Sequence, residues 1–525
     1  MYPVSSGTQE RAASGRGMRL AKRSGHLLSR VAVFLLIWFG TALLIAATLI
    51  RVFWGEITVA QMMLNLVSVE TDGGGGALVW ICILGIGVLP LLITIAVTSA
   101  LQVRRRRRLR RDPRQRFREH WLMRTVRVTA GASVVVLGAA SFTSSVSLAD
   151  YLQAANSQYS LDQFHVEPSV TGGSDKRNLV LIYLENGEAT LEDTELFEKD
   201  AFDPLQEVTD PADGWQSVES LREYAGGGWT MSGLVATQCG IPLGGIISAA
   251  SSGALDGRTE ESKTYLTGTT CLGDVLEQHG YTSVFLGGAN SSFAEKDTFL
   301  KTHGYSEVKG LADWRAAGEP ESSFRSDWGL SDRRLMAHAT EQLDELHAES
   351  EASGQPFNLS VLTLDTHGPT HVFDYCDVDT RDPTTSVFAC SMAEVAGFVE
   401  HMEDQGYLED TAVVIMGDHL KQINAGDAFQ DQLQDHPDRT IFNRIWIPGA
   451  DGSTPLRSEV DQLSMYPTLL DVAGLSVADR EAGLGVSAFS PEVPDDSAQS
   501  LNPEAYLELI TSRSAEFYSQ AWGAP

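Results

Sequence analysis

The chain has 525 residues, with 39 Lys and Arg against 69 Asp and Glu and a formal net charge of −30. The charge is split: residues 1–150 carry 19 basic against 7 acidic side chains, whereas 151–525 carry 20 against 62. Phosphate repulsion argues against nucleic acid as a partner of the acidic part, whose charge reads as a solvated surface.

The basic third is membrane-like. The run VAVFLLIWFGTALLIAATLI (31–50) carries no charge and is long enough to cross a hydrocarbon core about 30 Å thick. A second run covers 77–101. A third, weaker one at 128–148 is rich in the small residues that suit helix contacts in lipid. A cleaved signal peptide would not be followed by two more spans. Arginines precede the first span and crowd the stretch between the second and third (102–127), while the loop at 52–76 has Glu56, Glu70 and Asp72 and no Lys or Arg. The positive-inside rule then places residues 1–30 and the Arg loop in the cytoplasm and the chain after about 149 outside. This predicts a multi-pass membrane protein with residues after about 149 on the outer side.

Cys82 falls in a span, and Cys239, Cys271, Cys376 and Cys390 all fall in the outer part. An even count in an oxidising compartment predicts two disulfides. Cys376–Cys390 would close a short loop and Cys239–Cys271 a longer one, although spacing alone does not fix the pairing.

Residues 149–177 read as a connector, 178–490 as the outer domain, and 491–525 as a polar tail with one short helix. Within 178–490, four apolar runs end in polar residues: NLVLIYLE at Glu185, TSVFLGGAN at Asn290, FNLSVLTLDTH at Asp365 and His367, and TAVVIMGDH at Asp418 and His419. Helical patterns such as DRRLMAHATEQLDELHAES lie between them. Unalternated β-branched and Leu runs separated by helices predict an α/β domain with a mostly parallel central sheet covered on both faces. In such sheets ligands bind at the carboxyl ends of the strands, where these polar residues fall.

Glu185, Asp418 and His419 offer two oxygens and an imidazole, a set suited to a divalent ion such as Mn²⁺, Mg²⁺ or Zn²⁺. Asp365 and His367 could begin a second set, but the sequence offers no third member. The stretch AGGGWTMSGLVATQCGIPL (225–243) holds four candidate nucleophiles, Thr230, Ser232, Thr237 and Cys239. WTMSGLVATQ reads as the first turns of a helix, whose amino end favours an anionic phosphoryl group. Metal coordination would lower the pKa of a hydroxyl there. Thr230 as a simple N-cap is the competing reading.

Taken together, NLVLIYLENGEAT, GWTMSGLVATQCGIPL, GGANSSFAEKDTFLKTHGY, WGLSD, LDTHGP and GDHL resemble the phosphoglycerol transferase I family, which decorates periplasmic glucans. They are more distantly similar to lipoteichoic acid synthases. The resemblance covers about 178–485 and implies a sulfatase/alkaline-phosphatase-like α/β/α domain outside the membrane. It implies that Glu185, Thr230, Asp418 and His419 hold one divalent metal, Mn²⁺ first. Thr230 would be the nucleophile and His367 a catalytic and substrate-binding residue, joined by Asn290 and Lys296 on the substrate side. Lys296 falls where the synthase has a substrate-binding Arg, and Asn186 stands where the family commonly has Ser. On a helix Ser232 projects about 200° from Thr230, Thr237 lies two turns along, and Cys239 reads as half of a disulfide.

The implied function is transfer of a glycerophosphoryl group from phosphatidylglycerol to an envelope glycan. CGIPL lacks the C/S-x-P-S-R spacing that sulfatases need, and DHLKQ replaces the DHGES-like motif of phosphoethanolamine transferases. Two rival readings stand beside it: phosphoethanolamine transfer to lipid A or glucan, and a non-catalytic, membrane-anchored glycan-binding protein.

Overall fold

The computed structural model describes residues 7–53, 55, 57–59, 61–62, 80–111, 120–173, 175–245, 263–325, 328–423, 427–450, 452 and 454–523. They form two units, one of residues 1–56 and 77–147 and one of 57–76 and 148–525. Most of the predicted loop at 52–76, residues 77–79 of the second predicted span, and 112–119 of the basic loop lie outside the described residues.

The first unit holds three helices long and apolar enough to cross a membrane, at Arg30–Phe53, Trp80–Arg104 and Thr125–Ser145. The first span belongs to a continuous helix, α1 (Gly7–Phe53). The second contains a π-helical segment at Ile83–Val88 before α2 (Leu89–Arg111). Helix α3 (His120–Ser145) packs on α1 through glycine. A Cβ on Gly40 would stand 2.7 Å from the Val134 carbonyl carbon, and one on Gly138 2.4 Å from the Gly40 oxygen. That backbone approach is the small-residue contact the third span suggested.

The second unit is built on a six-stranded sheet. Its strands are β1 (Asn178–Leu184), β2 (Thr282–Gly287), β3 (Tyr305–Lys309), β4 (Phe357–Leu362), β5 (Thr411–Gly417) and β6 (Asn443–Trp446). Their order is β3-β2-β4-β1-β5-β6. Every neighbouring pair is parallel except β5–β6. β1 and β5 are buried at every residue, as strands covered on both faces must be.

Side-chain alternation along β1 divides the interior into two layers. Leu179, Leu181 and Tyr183 join one core with α4 (Thr230–Cys239), α5 (Leu272–Gln278) and α9 (Gln462–Val472). Val180, Ile182 and Leu184 join the other with α7 (Asp332–Ser353) and α8 (Pro383–Asp404). Each fully buried aliphatic side chain contributes roughly 1.5–3 kcal/mol. The α/β/α expectation is borne out. Helix α6 (Lys296–Thr302) lies between β2 and β3.

Helix α4 is buried from Met231 to Cys239, so it lacks the polar stripe of a surface helix. It stops at Gly240, in the left-handed region at φ +66°, and Cys239 is tied to Cys271 ahead of α5. Cys376–Cys390 ties the loop after β4 to α8. Both expected disulfides form, and Cys82 is free. Closing loops of 32 and 14 residues restricts the unfolded chain and adds roughly 3 kcal/mol each on the chain-entropy account.

The stretch after 490 differs from the single short helix expected. It forms α10 (Pro503–Thr511) and α11 (Ala515–Ala521). Leu509, Phe517, Tyr518 and Trp522 enter the same core as α4. Tyr518 OH donates to the Pro242 carbonyl at 3.0 Å, and Trp522 Nε1 to that of Gly244 at 2.9 Å. The polar run at 491–500 hides this packing because the apolar residues come only after it.

A Cβ on Gly233 would lie 2.0 Å from the backbone oxygen of Asp418, so α4 reaches the end of β5 only with glycine there. Gly233→Ala is expected to destabilise the unit by about 1–3 kcal/mol, read as a lower denaturation midpoint. An unchanged midpoint would contradict this packing.

Candidate active site

Glu185 directly follows β1, and Asp418 and His419 directly follow β5. Because Leu184 pairs with Gly417 in register, the two strand ends deliver their carboxylates side by side. The backbones close up through glycine: a Cβ on Gly417 would stand 2.1 Å from the Gly187 oxygen. Glu185, Asp418 and His419 are 4%, 0% and 1% exposed, and their ligand atoms lie within 4.8 Å of one another. His419 Nε2 is 3.4 Å from Asp418 Oδ2 and 3.8 Å from Glu185 Oε1.

Thr230 is the first residue of α4, and Trp229, in extended conformation, takes the cap position. The threonine is therefore not the N-cap. Its Oγ1 donates to Glu185 Oε2 at 3.2 Å. The other three candidates turn elsewhere. Ser232 bonds Tyr224 OH and the Gly226 carbonyl, Thr237 bonds Tyr183 OH and the Gly233 carbonyl, and Cys239 is in its disulfide.

The surrounding hydrogen bonds aim the ligand atoms inward. Asp418 Oδ1 accepts from the backbone N–H of Asn186 at 3.0 Å and of His419 at 2.8 Å, which leaves Oδ2 toward the cluster. His419 Nδ1 donates to the Leu420 carbonyl at 2.7 Å, which turns Nε2 toward the two carboxylates. Asn186 Nδ2 donates to Glu185 Oε1 at 3.0 Å and to the Thr366 carbonyl at 3.1 Å. Asn186 sits at φ +58°, a left-handed conformation that asparagine tolerates well. Asn186 thus holds the carboxylate of its chain neighbour, Glu185.

Two buried atoms of the cluster, Asp418 Oδ2 and His419 Nε2, have no hydrogen-bond partner. Buried acceptors left unmatched in this way ask for a cation. Two carboxylates, an imidazole nitrogen and a hydroxyl form a donor set that fits a divalent metal ion. Burial pushes the Asp418 carboxyl up to about 7. Burial, and then the Asp418 charge, also raises the Glu185 carboxyl.

Lys296 opens α6 and is 5% exposed. Its ammonium lies 5.9 Å from the centre of the Phe285 ring. Burial lowers its pKa, and the charges of Glu185 and Asp418 oppose that shift. His367 is half-buried, with Nδ1 donating to the Gly368 carbonyl. Burial lowers its pKa too, against the charge of Glu185. Asn290 Oδ1 accepts from the N–H and hydroxyl of Ser292 at 3.1 and 2.9 Å, so this oxygen shapes the turn before Lys296.

Asp365 Oδ2 accepts from the Asp332 N–H at 3.2 Å and from Tyr375 OH, while its Oδ1 is buried without a hydrogen-bond partner. Among the described residues no third ligand joins it and His367. The other grouping of metal-type ligands, Cys271, Asp274 and His303, has its sulfur spent in the disulfide.

Sequence reading missed Arg325. It is 1% exposed and donates to the carbonyls of His367 at 2.8 Å and Pro369 at 2.6 Å, bracing the loop that carries His367. It stands in ESSFRSDW, which has no periodicity to single it out.

Residues 251–475 match the Sulfatase family. That match takes in Asp418 and His419, while Glu185 and Thr230 precede it. Over 334 residues the chain is 30% identical to phosphoglycerol transferase I of Escherichia coli, and over 339 residues 31% identical to that of Citrobacter koseri. Each alignment takes in 62% of this chain, and the chain spans 41% of the length of these relatives. The resemblance read from the motifs is borne out. Among solved structures, the lipoteichoic acid synthase LtaP of Listeria monocytogenes has a TM-score of 0.47 at 15% identity, over 70% of this chain and 96% of that one.

The raised Asp418 pKa gives a pH signature. Unfolded, this carboxyl ionises near its ordinary value of 3.8, and folded near about 7. Between these the unfolded state releases the proton and the folded state keeps it, so rising pH favours unfolding. Melting of the metal-free protein is therefore expected to occur at lower temperature as pH rises from about 4 to about 7. Asp418→Asn should flatten that dependence, and an equally steep fall in the variant would contradict the assignment.

Proposed function

We propose that this protein is a membrane-anchored transferase that moves a glycerophosphoryl group from phosphatidylglycerol to an envelope glycan. The observation that carries the reading is the Thr230 hydroxyl at the start of α4, bonded to Glu185 beside two unpartnered ligand atoms. The similarity to phosphoglycerol transferase I of Escherichia coli and of Citrobacter koseri supports the same reading.

Glu185, Asp418, His419 and Thr230 would hold one divalent ion, with Mn²⁺ the first choice. The ion would supply charge neutralisation at a phosphoryl oxygen and favour the ionised threonine hydroxyl. Thr230 Oγ1 attacks the phosphorus of phosphatidylglycerol, the bond to the diacylglycerol oxygen breaks, and glycerophosphoryl-Thr230 remains. Glu185 Oε2 already accepts the Thr230 hydrogen and so orients the oxygen for attack. Lys296 brings its ammonium to the anionic donor, with Asn290 on the same substrate side. In the second half-reaction a sugar hydroxyl attacks the phosphorus of the adduct, His367 Nε2 accepts its proton, the bond from phosphorus to Thr230 Oγ1 breaks, and that proton passes to the released threonine oxygen. The Nδ1 bond to Gly368 leaves Nε2 unprotonated for that role.

The three apolar helices would hold the enzyme in the inner membrane, where the lipid donor resides. The arginine distribution supports a cytoplasmic amino terminus and an outer catalytic domain.

Incubation with phosphatidylglycerol, or separately with phosphatidylethanolamine, followed by mass analysis of the Thr230 peptide tests the reading. A glycerophosphoryl adduct formed from phosphatidylglycerol is expected, with turnover falling at least about a thousandfold in Thr230→Ala. A phosphoethanolamine adduct, or full turnover by Thr230→Ala, would overturn it.

A further inference from the structure

Three rings line up beside the cluster. His367 lies against Trp328 at a centroid separation of 4.1 Å, and Trp328 meets the ring of Phe293 edge-on at 6.0 Å. The three come from different segments: Phe293 after β2, Trp328 ahead of α7, and His367 after β4. Phe293 is 38% exposed, and Trp328 and His367 are half-buried. An exposed Phe ring at a catalytic edge sacrifices burial that it would gain inside a core.

The backbone holds this ring out. Ala294 and Glu295 both take left-handed conformations, at φ +56° and +58°, inside the turn between β2 and α6. Such conformations are costly for residues with a side chain and persist where surrounding structure enforces them. Here the Asn290 oxygen caps the turn at Ser292, and the Asp297 N–H donates to the Ser291 carbonyl at 2.9 Å. The result is a four-residue switch, with Phe293 facing solvent and Lys296 buried toward Glu185 and Asp418. Trp328 is pinned by its neighbours. The Leu330 N–H donates to the Gly288 carbonyl at 3.0 Å, and a Cβ on Gly329 would stand 2.1 Å from that oxygen.

We infer that Phe293 and Trp328 form a stacking platform for the saccharide acceptor. This rests on the transfer reading above and adds to it where the acceptor binds. Sugar rings present apolar C–H faces that lie on aromatic rings, and their hydroxyl edges stay free for hydrogen bonding. A sugar on Trp328 has its next hydroxyl beside His367, the proton acceptor of the second half-reaction. Neither Phe293 nor Trp328 offers a charge to pair with an acidic sugar, so the platform fits a neutral one. A lipid acyl chain is the poorer occupant, because the row ends on the polar His367 ring.

Two measurements on the full-length protein test this. In the first, Trp328 oxidation by N-bromosuccinimide is followed by peptide mass analysis with cellotetraose, an oligogalacturonide of equal length, or diacylglycerol-containing vesicles present. Protection by cellotetraose alone is expected. No protection by cellotetraose, or protection only by the vesicles or the acidic sugar, would overturn the platform. This arm needs no turnover, so it stands apart from the transfer reading. In the second, discharge of the Thr230 adduct is followed against cellotetraose concentration. Phe293→Ala and Trp328→Ala are expected to raise the half-saturating concentration about fivefold to tenfold, with Trp328→Tyr restoring most of it. The same half-saturating concentration in all three proteins would refute the proposal. Failure of the adduct to form in the unaltered protein would instead count against the transfer reading.

Discussion

Two carboxylates and an imidazole lie with their ligand atoms within 4.8 Å of one another, almost without solvent. Such a cluster is unstable as a set of free charges. Desolvation and mutual repulsion drive the carboxyls toward protonation, and the unmatched Asp418 Oδ2 and His419 Nε2 add the cost of buried acceptors without partners. A divalent cation held there, as proposed, would reverse each of these effects. The neighbouring Lys296 brings one positive charge near Glu185 and Asp418, yet no hydrogen bond or ion pair joins its ammonium to either among the described residues.

Much of the fold serves to bring that cluster together and to point a hydroxyl at it. The neighbouring positions of β1 and β5 supply the ligands in register. Glycines 187, 233 and 417 let three backbone segments meet at distances that a Cβ would forbid. Helix α4 is buried along its length and tied to Cys271 at its far end, and Gln462 links the Asp418 carbonyl, to which its Nε2 donates at 2.7 Å, with the Tyr224 N–H ahead of α4, from which its Oε1 accepts at 3.2 Å. Thr230 is thereby fixed by the interior of the domain, as the nucleophilic role proposed for it requires.

The strand ends were legible in the sequence for a physical reason. A parallel strand buried on both faces shows an unbroken apolar run, and its last residue is where polarity returns. Glu185, Asp418 and His419 all fall there. Thr230 was legible as a helix start but not as the first helical residue, since a Thr beside Gly-rich chain reads equally well as a cap. Arg325 and Trp328 were not legible as parts of the site. WGLSD carries part of the resemblance but assigns Trp328 no role, and the roles of both residues come from contacts with His367 some 40 residues away in the chain. The tail helices were obscured by the polar run that precedes them.

The central claim is that these four side chains form one cation site. Titration of the metal-stripped protein with Mn²⁺, followed by electron paramagnetic resonance, addresses it directly. The account predicts one bound ion per chain, with affinity reduced at least about a hundredfold in Asp418→Asn and in Glu185→Gln. Absence of a saturable Mn²⁺ signal with Mg²⁺ and Zn²⁺ also failing to bind, or equal binding by the two variants, would contradict it.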